Sequence, residues 1–235
     1  MPNTHTTEDN GRRRPDLAIE QHLFDRGFQL CGGVDEVGRG SLAGPVTVGI
    51  VVLAAGTRDI PAGLADSKML SPAAREALVP AICRWAAGWA VGHASAAEID
   101  LFGILDALNL AGRRAFQQLP RRPQHLVLDG SYNWLRRPPV LPGLGAPGAR
   151  RSDLGCEVSL MPKADRLVAS VAAASVIAKV RRDGLMARLA RWHPGYGWER
   201  NVGYGTPAHL AAIRQIGPCA QHRRSWKPFI IQADS

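Results

Sequence analysis

The stretch Cys31–Gly49, which reads CGGVDEVGRGSLAGPVTVG, carries the residues best suited to chemistry on phosphate and sugar. The adjacent carboxylates Asp35 and Glu36 run directly into the glycine-flanked arginine of Gly38-Arg39-Gly40. Carboxylate oxygens are hard ligands that suit Mg²⁺ or Mn²⁺, and a bare glycine backbone lets a ligand approach peptide groups closely. Alone, the segment is compatible with a catalytic centre, a dinucleotide-binding loop or a charged turn.

Two further carboxylates stand at the boundaries of predicted elements. Asp129 ends the apolar run HLVLD, and Asp165 opens an alanine-rich helical segment. Strand ends converge at one edge of a mixed α/β sheet, where ligands commonly bind. Acids gathered there repel each other unless cations intervene, and two ions about 4 Å apart can promote phosphodiester hydrolysis. The sequence therefore predicts a metal-dependent nuclease centre formed by Asp35, Glu36, Asp129 and Asp165.

One geometric condition applies to Asp35 and Glu36. Neighbouring residues of a regular strand point to opposite faces of the sheet. Both carboxylates can therefore serve one site only if the strand ends or twists there, which the following Gly38 permits.

The charge balance favours a polyanionic partner. The 235 residues include 29 Lys and Arg against 20 Asp and Glu, a formal net charge of +9. Such a surplus favours phosphate contacts with counterion release. The four cysteines are widely scattered, which disfavours a zinc cluster or a disulfide framework and suits a reducing cytosol. We see no secretory pattern and no apolar run of the ~20 residues that a membrane span needs, so we expect a cytoplasmic protein without membrane contact.

Helices and strands alternate along the chain in a pattern typical of an α/β fold. The periodicity predicts strands over 29–37, 45–54, 89–95, 125–129 and 156–160. It predicts helices over 17–25, 72–85, 96–119, 164–192 and 207–216. Ser71-Pro72 and Thr206-Pro207 are N-cap and N1 pairs, and Ser95 with Glu98 forms a capping box. The small residues of 172–175 would let the longest helix lie close to a sheet or a ligand.

The chain is expected to form one domain. Residues 1–16 are predicted to be a disordered basic arm, 17–229 a single domain with a helical C-terminal part, and 230–235 a tail. The stretch 136–153 is rich in Pro, Gly and Arg, and it is interpreted as a surface insertion rather than a linker.

Seven short motifs occur together in a fixed order. They are DEVGRGSLAGPV from position 35, DSK at 66–68, LDG at 128–130, KAD at 163–165, AAASVIAKVRRD at 172–183, GYGT at 203–206 and HRRSW at 222–226. With this combination the chain resembles bacterial ribonuclease HII over about residues 17–229. The resemblance implies an α/β ribonuclease H-like fold, a mixed five-stranded sheet flanked by helices with a helical C-terminal segment.

The resemblance also implies an activity. Such an enzyme hydrolyses the RNA strand of RNA–DNA hybrids and nicks duplex DNA 5′ of embedded ribonucleotides. It does so by two-metal-ion catalysis with Mn²⁺ or Mg²⁺ and leaves a 3′-OH and a 5′-phosphate. The implied partners are RNA–DNA hybrids and duplex DNA containing ribonucleotides, and we expect a monomer.

Residue roles follow from the same resemblance. Asp35, Glu36, Asp129 and Asp165 match the family's metal-binding and catalytic acids. Gly38, Arg39 and Gly40 match the backbone segment that recognises the ribonucleotide 2′-OH, the group that distinguishes RNA from DNA. Tyr204 matches the tyrosine that stacks on the neighbouring deoxyribose and rejects a following 2′-OH.

Further basic and polar residues are candidates for nucleic-acid contacts. Lys179 lies 14 residues after Asp165, so the two would share roughly one face of a single helix, with Lys179 some ~21 Å along the duplex. A solvated helix face explains Lys179 equally well, and this alternative stays open. The candidate phosphate contacts are Ser67, Lys68, Lys179 and Arg182. The candidate nucleic-acid contacts near the C-terminus are Arg223, Arg224 and Ser225.

Two alternatives compete with the nuclease interpretation. A dinucleotide loop is suggested because Gly38-x-Gly40-x-x-Ala43 follows a strand and Asp59 lies about twenty residues on. Such a loop must open a helix, whereas strand residues follow Pro45, so we reject it. A non-catalytic hybrid-binding module of the same fold is the second alternative. Cleavage of a duplex with one ribonucleotide by the wild type, and not by Asp35→Asn, distinguishes the two.

Overall fold

One mixed sheet organises the molecule. The computed structural model describes residues 14–136 and 154–226, and all statements on structure refer to these. The strands are β1 (Leu30–Val37), β2 (Val46–Ala54), β3 (Gly88–Ala94), β4 (His125–Asp129) and β5 (Glu157–Met161). Their order across the sheet is β3-β2-β1-β4-β5. β1 is antiparallel to β2 and β2 to β3, whereas β4 runs parallel to β1 and β5 to β4. The predicted fold class is confirmed.

Helices cover both faces of this sheet. They are α1 (Ala18–Asp25), α2 (Pro72–Trp85), α3 (Ala96–Phe102), α4 (Ile104–Gln118), α5 (Ala169–Trp192), α6 (Trp198–Asn201) and α7 (Pro207–Ile216). α4 packs on one face, where Leu108 joins Val48 in a buried core. α5 and α2 pack on the other face, where Ile177 joins Val51. None of the helices in this part of the chain combines the length and apolar character needed to cross a membrane.

α5 approaches β1 unusually closely. A Cβ added at Gly33 of β1 would collide with the backbone nitrogen of Val171, so no larger residue fits between helix and strand. The residues Ala172, Ala173, Ala174 and Ser175 of α5 are all buried in this contact layer. The small residues at 172–175 therefore do bring the helix close to the sheet, as their sequence suggested.

Two helix boundaries differ from the prediction. The expected helix over 96–119 is interrupted at Gly103, whose φ of +78° ends α3 and precedes α4. The expected helix over 164–192 begins only at Ala169, because Ala164–Arg166 forms a separate 3₁₀ turn after Lys163 at φ +62°. Asp165 is therefore not on α5, and the prediction that it shares one helix face with Lys179 was wrong.

The outer segments are described only in part. Asp16, assigned to the disordered arm, donates its N–H to the Leu167 carbonyl at 3.0 Å, so the arm was drawn too far into the chain. Residues 1–13, most of the predicted insertion over 136–153 and the predicted tail 230–235 lie outside the described residues.

Candidate active site

Four carboxylates lie at one end of the central strands. Asp35 and Glu36 are near the end of β1, Asp129 is the last residue of β4, and Asp165 is in the 3₁₀ turn that follows β5. The charges of Glu36, Asp129 and Asp165 all act on Asp35, which places the predicted acids in one electrostatic cluster.

Both acids of β1 reach this cluster because β1 extends beyond its partner. The last pair between β1 and β4 joins Val34 to Leu128, so Asp35 and Glu36 stand where β1 pairs only with β2. Asp35 turns towards α5, where the Ser175 side chain hydrogen bonds to it. Glu36 still interacts electrostatically with Asp129. Both carboxylates therefore lie within electrostatic reach of Asp129, although they are neighbours on one strand.

Burial and mutual repulsion make Asp35, Glu36 and Asp129 poor anions as they stand. Asp35 is only 5% exposed, and burial, followed by repulsion from Glu36, raises its pKa to about 8. Burial is also the largest cause that raises the pKa of Glu36 and that of Asp129. Such a desolvated group of acids favours a cation, because its negative charge is otherwise unfavourable.

Two exposed cations hold two of the acids. The Lys68 ammonium lies 3.0 Å from Asp165 Oδ2, and Arg39 Nη1 lies 3.3 Å from Glu36 Oε1. The side chains of Lys68 and Arg39 are 71% and 52% exposed. Each could therefore exchange its carboxylate for another anion without disturbing the core.

The other two acids are oriented by groups of the fold. Asp129 Oδ1 accepts the N–H of Ala164 at 2.8 Å, and Asp35 Oδ1 accepts the N–H of Glu36 at 2.8 Å. Behind Asp35, the hydroxyls of Ser175 and Ser67 lie 2.7 Å apart. Sequence reasoning missed this hydroxyl pair, although the small-residue run that contains Ser175 marked where α5 would come close.

The donor set fits a hard divalent ion. It consists of carboxylate oxygens, and Glu36 Oε2 is buried without a hydrogen-bond partner. As they stand, no three His, Cys, Asp or Glu side chains of residues 14–136 and 154–226 form a group that could hold a metal ion. Glu36 and Asp165 are instead held by Arg39 and Lys68, so binding of an ion requires these two acids to change partner.

The glycine loop, residues 38–44, follows the two acids of β1 directly. Gly38 has a φ of +80°, and a Cβ there would overlap the guanidinium of Arg182. The carbonyls of Gly38 and Arg39 face inward and accept hydrogen bonds from Arg223 at 2.6 and 2.9 Å. Nothing lies within 4 Å of a Cβ built on Gly40, so this part of the loop faces open space.

Tyr204 lies on a segment that is bonded to the glycine loop. The N–H groups of Leu42 and Ala43 both donate to the carbonyl of Gly203, at 2.8 and 3.2 Å. The Tyr204 side chain is 37% exposed, so its ring is available to a ligand. Residues more than 160 positions apart are thus brought together at one edge of the site.

Two predicted contacts are contradicted by burial. Arg182 is fully buried, and its guanidinium donates to the Pro45 and Val202 carbonyls at 3.0 and 2.8 Å and to Ser41 Oγ at 2.8 Å, so it was wrongly assigned to phosphate. Arg223 is likewise fully buried against the glycine loop and not placed to touch nucleic acid directly. The sequence offers no local indication of this, because both residues sit in basic runs that resemble solvated surface.

The remaining candidate contacts are either more buried than predicted or bonded to other residues of the protein. Ser67 is 4% exposed and its hydroxyl bonds to Ser175, so it supports Asp35 rather than facing solvent. Lys179 Nζ lies 3.0 Å from Asp183 Oδ1, and the Lys179 side chain is 17% exposed. Arg224 and Ser225 are exposed, and both backbone N–H groups donate to Asp100 at 2.9 and 3.0 Å.

Similar solved structures define the class of protein. The chain resembles the crystal structure of ribonuclease H2 from Pyrococcus horikoshii OT3, with a TM-score of 0.65 and 26% identity over 87% of this chain and 97% of that one. It also shares its fold with Bst-RNase HIII, at a TM-score of 0.62 and 22% identity over 97% of this chain and 76% of that one. The sheet and its helices therefore place the chain among proteins with the ribonuclease H-like fold.

The family follows from sequence comparison. The ribonuclease HII family model matches residues 32–229. Ribonuclease HII from Paracoccus denitrificans (strain Pd 1222) is 45% identical over 214 residues, 91% of this chain and 92% of that protein. That from Jannaschia sp. (strain CCS1) is 46% identical over 215 residues, 92% of this chain and 96% of that protein. The chain belongs to the ribonuclease HII family and is an endoribonuclease, a hydrolase of the class that acts on RNA paired with DNA.

Proposed function

We propose that this chain nicks duplex DNA on the 5′ side of embedded ribonucleotides, as well as cutting the RNA strand of RNA–DNA hybrids. One observation carries this proposal: the glycine loop follows Asp35 and Glu36 in the chain, and the segment that contains Tyr204 is hydrogen-bonded to that loop. A glycine-containing segment that is open to a ligand at Gly40 thus lies beside the carboxylates, and we assign recognition of the ribose to it. The products would carry a 3′-OH and a 5′-phosphate.

The cofactor in this proposal is Mn²⁺ or Mg²⁺, with two ions in the substrate complex. Asp35, Glu36, Asp129 and Asp165 would hold the ions, since they supply hard oxygen ligands in a place that disfavours uncompensated negative charge. When bound, the ions supply an activated water and stabilise charge on the leaving oxygen.

The chain's own residues have distinct tasks in the proposed reaction. The N–H of Ala164 and the hydroxyl of Ser175 keep Asp129 and Asp35 in fixed orientations. Lys68 and Arg39 each pair with one acid through an exposed side chain, and they would be available to phosphates of the substrate if those acids held an ion instead. Oriented carboxylates together with exposed cations would position a single phosphate at this site.

Recognition of the ribose is assigned to two parts of the protein, the glycine loop and Tyr204, which we call the two readers. Peptide groups at Gly38, Arg39 and Gly40 would contact the 2′-OH, because the positive φ at Gly38 and the open space at Gly40 let a sugar come close. The half-exposed ring of Tyr204 would stack on the sugar that follows. A ribose followed by a deoxyribose would satisfy both readers.

The test is cleavage of a labelled duplex that contains one ribonucleotide. With Mg²⁺ or Mn²⁺ the wild type should nick once, 5′ of the ribose, and Asp35→Asn should lose at least about a thousandfold in kcat. Asp25→Asn, which alters an exposed acid on α1, is the matched control and should keep full activity. Equal cleavage by the wild type and Asp35→Asn, or a 3′-phosphate product, would contradict the proposal.

The organisation proposed for the chain is a single domain over residues 17–229, acting as a cytoplasmic monomer. One continuous sheet with helices on both faces supports the single domain. The four cysteines are free, which suits a reducing compartment. Light scattering during size-exclusion chromatography tests the monomer, for which we expect a mass near 25.3 kDa.

A further inference from the structure

Two arginines are fully buried behind the glycine loop. Arg182 of α5 and Arg223 of the C-terminal segment have no exposed surface. In the described residues neither arginine forms an ion pair with a carboxylate. Their guanidinium groups donate hydrogen bonds mainly to main-chain carbonyls. Burial, followed by the charge of Arg182, lowers the pKa of Arg223 to about 9. Two desolvated like charges side by side are unfavourable for folding, so their presence calls for another reason.

Arg223 holds both ends of the glycine loop. Its Nη2 and Nη1 donate to the carbonyls of Gly38 and Arg39 at 2.6 and 2.9 Å, and its Nε donates to the Gly44 carbonyl at 3.1 Å. Asp100 of α3 anchors the same C-terminal segment through the N–H groups of Arg224 and Ser225. The Arg223 side chain therefore ties both ends of the glycine loop to the C-terminal segment.

This contact also decides which way the loop's donors point. In a trans peptide group the N–H points opposite to the carbonyl. With the carbonyls of Gly38 and Arg39 drawn inward, the N–H groups of Arg39 and Gly40 are turned outward. No acceptor for either N–H is found in the described part of the chain. Arg223 thus leaves two backbone donors turned away from the core, where they are available to a hydroxyl of a bound sugar.

Arg182 joins the loop to the Tyr204 segment. Its Nη2 donates to Ser41 Oγ on the loop, and its Nη1 donates to the Val202 carbonyl beside Tyr204, both at 2.8 Å. The guanidinium lies 5.7 Å from the centre of the Tyr204 ring and directly beneath Gly38. One buried side chain therefore contacts both readers.

We propose that Arg182 and Arg223 are positioning residues that hold the glycine loop and the Tyr204 segment as one rigid reader of the junction between a ribose and the following deoxyribose. This inference rests on the proposed function. It adds the two side chains that set the distance between the glycine loop and the Tyr204 segment. Arginine suits the task because its planar fork of donors can bind several carbonyls at once.

The experiment uses a duplex with four consecutive ribonucleotides in one DNA strand. The readout is the ratio of cuts at the last ribose, which precedes deoxyribose, to cuts at the internal riboses. This ratio does not depend on how much of the protein is folded, so loss of stability alone leaves it unchanged. The wild type should favour the last ribose strongly.

The variants are Arg223→Gln and Arg182→Gln, with Arg223→Lys retaining the charge but not the fork of donors. In each, the ratio should fall roughly tenfold, because the loop or the Tyr204 segment is no longer held in register. Exposed arginines provide matched controls, Arg181→Gln on α5 and Arg214→Gln on α7, and both should keep the wild-type ratio. Ser41→Ala removes a single acceptor of Arg182 and should lower the ratio about twofold even if the arginine variants fail to fold.

The possible outcomes distinguish failure of the proposed function from failure of the inference about Arg182 and Arg223. A wild type that cuts neither this duplex nor the duplex with one ribonucleotide overturns the proposed function. A wild type that cuts all four riboses equally overturns the junction-reading roles of the glycine loop and Tyr204, and the inference with them. A wild type that favours the last ribose, with an unchanged ratio in the folded arginine variants or in Ser41→Ala, overturns the inference alone. A reduced ratio in the variants with unchanged controls supports it.

Discussion

Asp35 carries the clearest electrostatic mark of the site. Its carboxyl is buried beside three other acids, and its pKa is raised to about 8 from an ordinary 3.8. Between these two values the folded, metal-free protein binds a proton at Asp35 that the unfolded chain releases. Its contribution to stability is therefore full below about pH 4 and is lost as pH rises towards 8.

This linkage predicts that Asp35→Asn stabilises the metal-free protein at high pH. In EDTA at pH 8.5 we expect the variant to be about 2 kcal/mol more stable than the wild type, with a smaller difference at pH 5. Urea denaturation at the two pH values measures it. A less stable variant at pH 8.5 would show that Asp35 is not electrostatically strained, and Asp25→Asn should change neither value.

Lys68 pairs with Asp165, so under the proposed function it would compete with a metal ion for that carboxylate. Because the ammonium is exposed, its ion pair contributes less than about 1 kcal/mol, so Lys68→Gln should tighten Mn²⁺ binding roughly threefold. The same change should lower kcat/KM for the ribonucleotide duplex about tenfold if the ammonium reaches a phosphate. Calorimetry and steady-state kinetics measure the two effects. Lys179→Gln is the control, since Lys179 pairs with Asp183; equal effects of both changes would remove the special role of Lys68.

The close contact between β1 and α5 brings Asp35 within hydrogen-bonding distance of Ser175. Gly33→Ala should destabilise the protein by at least about 3 kcal/mol, because the added methyl group meets the backbone of α5 and cannot be relieved by a rotamer change. Gly184→Ala on the same helix is the matched control. It meets nothing within 4 Å and should stabilise by about 0.5–1 kcal/mol. Thermal melting of both variants tests the pair, and similar melting temperatures would contradict the close approach.

A buried cluster of histidines supports α7 and the Tyr204 segment. His209 Nδ1 lies 2.9 Å from the Tyr204 carbonyl, and its Nε2 accepts the Trp198 indole N–H at 2.9 Å and lies 3.2 Å from His222 Nε2. Burial, followed by the charge of His209, lowers the pKa of His222 to about 4. Both rings are therefore neutral at physiological pH, and the cluster holds the backbone at Tyr204.

Acid should weaken this cluster. Because the pKa of His222 falls from 6.5 in the unfolded chain to about 4, its contribution is full above about pH 6.5 and is lost towards pH 4. We expect the wild type to lose about 2 kcal/mol more than His222→Gln between pH 7 and pH 4.5, as measured by urea denaturation. His22→Gln, which changes an exposed ring, should follow the wild type. Parallel pH profiles for wild type and His222→Gln would refute the assignment.

The whole molecule combines a net positive charge with a locally acidic site. The charge of +9 draws a polyanion to the surface, whereas the charges of Glu36, Asp129 and Asp165 all act on the buried Asp35. Binding of any duplex should therefore depend steeply on salt. With about four phosphate contacts, affinity in EDTA should fall roughly a hundredfold from 50 to 200 mM salt. Fluorescence anisotropy measures this for an all-DNA duplex, and a flat response would exclude phosphate contacts as the main attraction.

Much of the fold could be predicted because its determinants are local. The β-branched run before Ala54, the N-cap pairs and the capping box of Ser95 act over a few residues, and the structure contains the corresponding elements. The errors arose where one residue altered the backbone. Gly103 split a predicted helix, and Lys163 at positive φ delayed another, in both cases without a break in the apolar pattern.

The types and order of the site residues were also legible in the chain, since Asp35, Glu36 and the glycine loop are contiguous and the other motifs follow in sequence. Which basic residues face solvent was not. Arg182 and Arg223 look like their neighbours Arg181 and Arg224, yet they are buried because they meet carbonyls of a segment far away in sequence; Arg223 and Gly38 are 185 positions apart. Burial is set by such distant contacts. Local patterns therefore specify the elements and the chemistry, whereas tertiary packing alone decides which side chains position the site and which can touch a substrate.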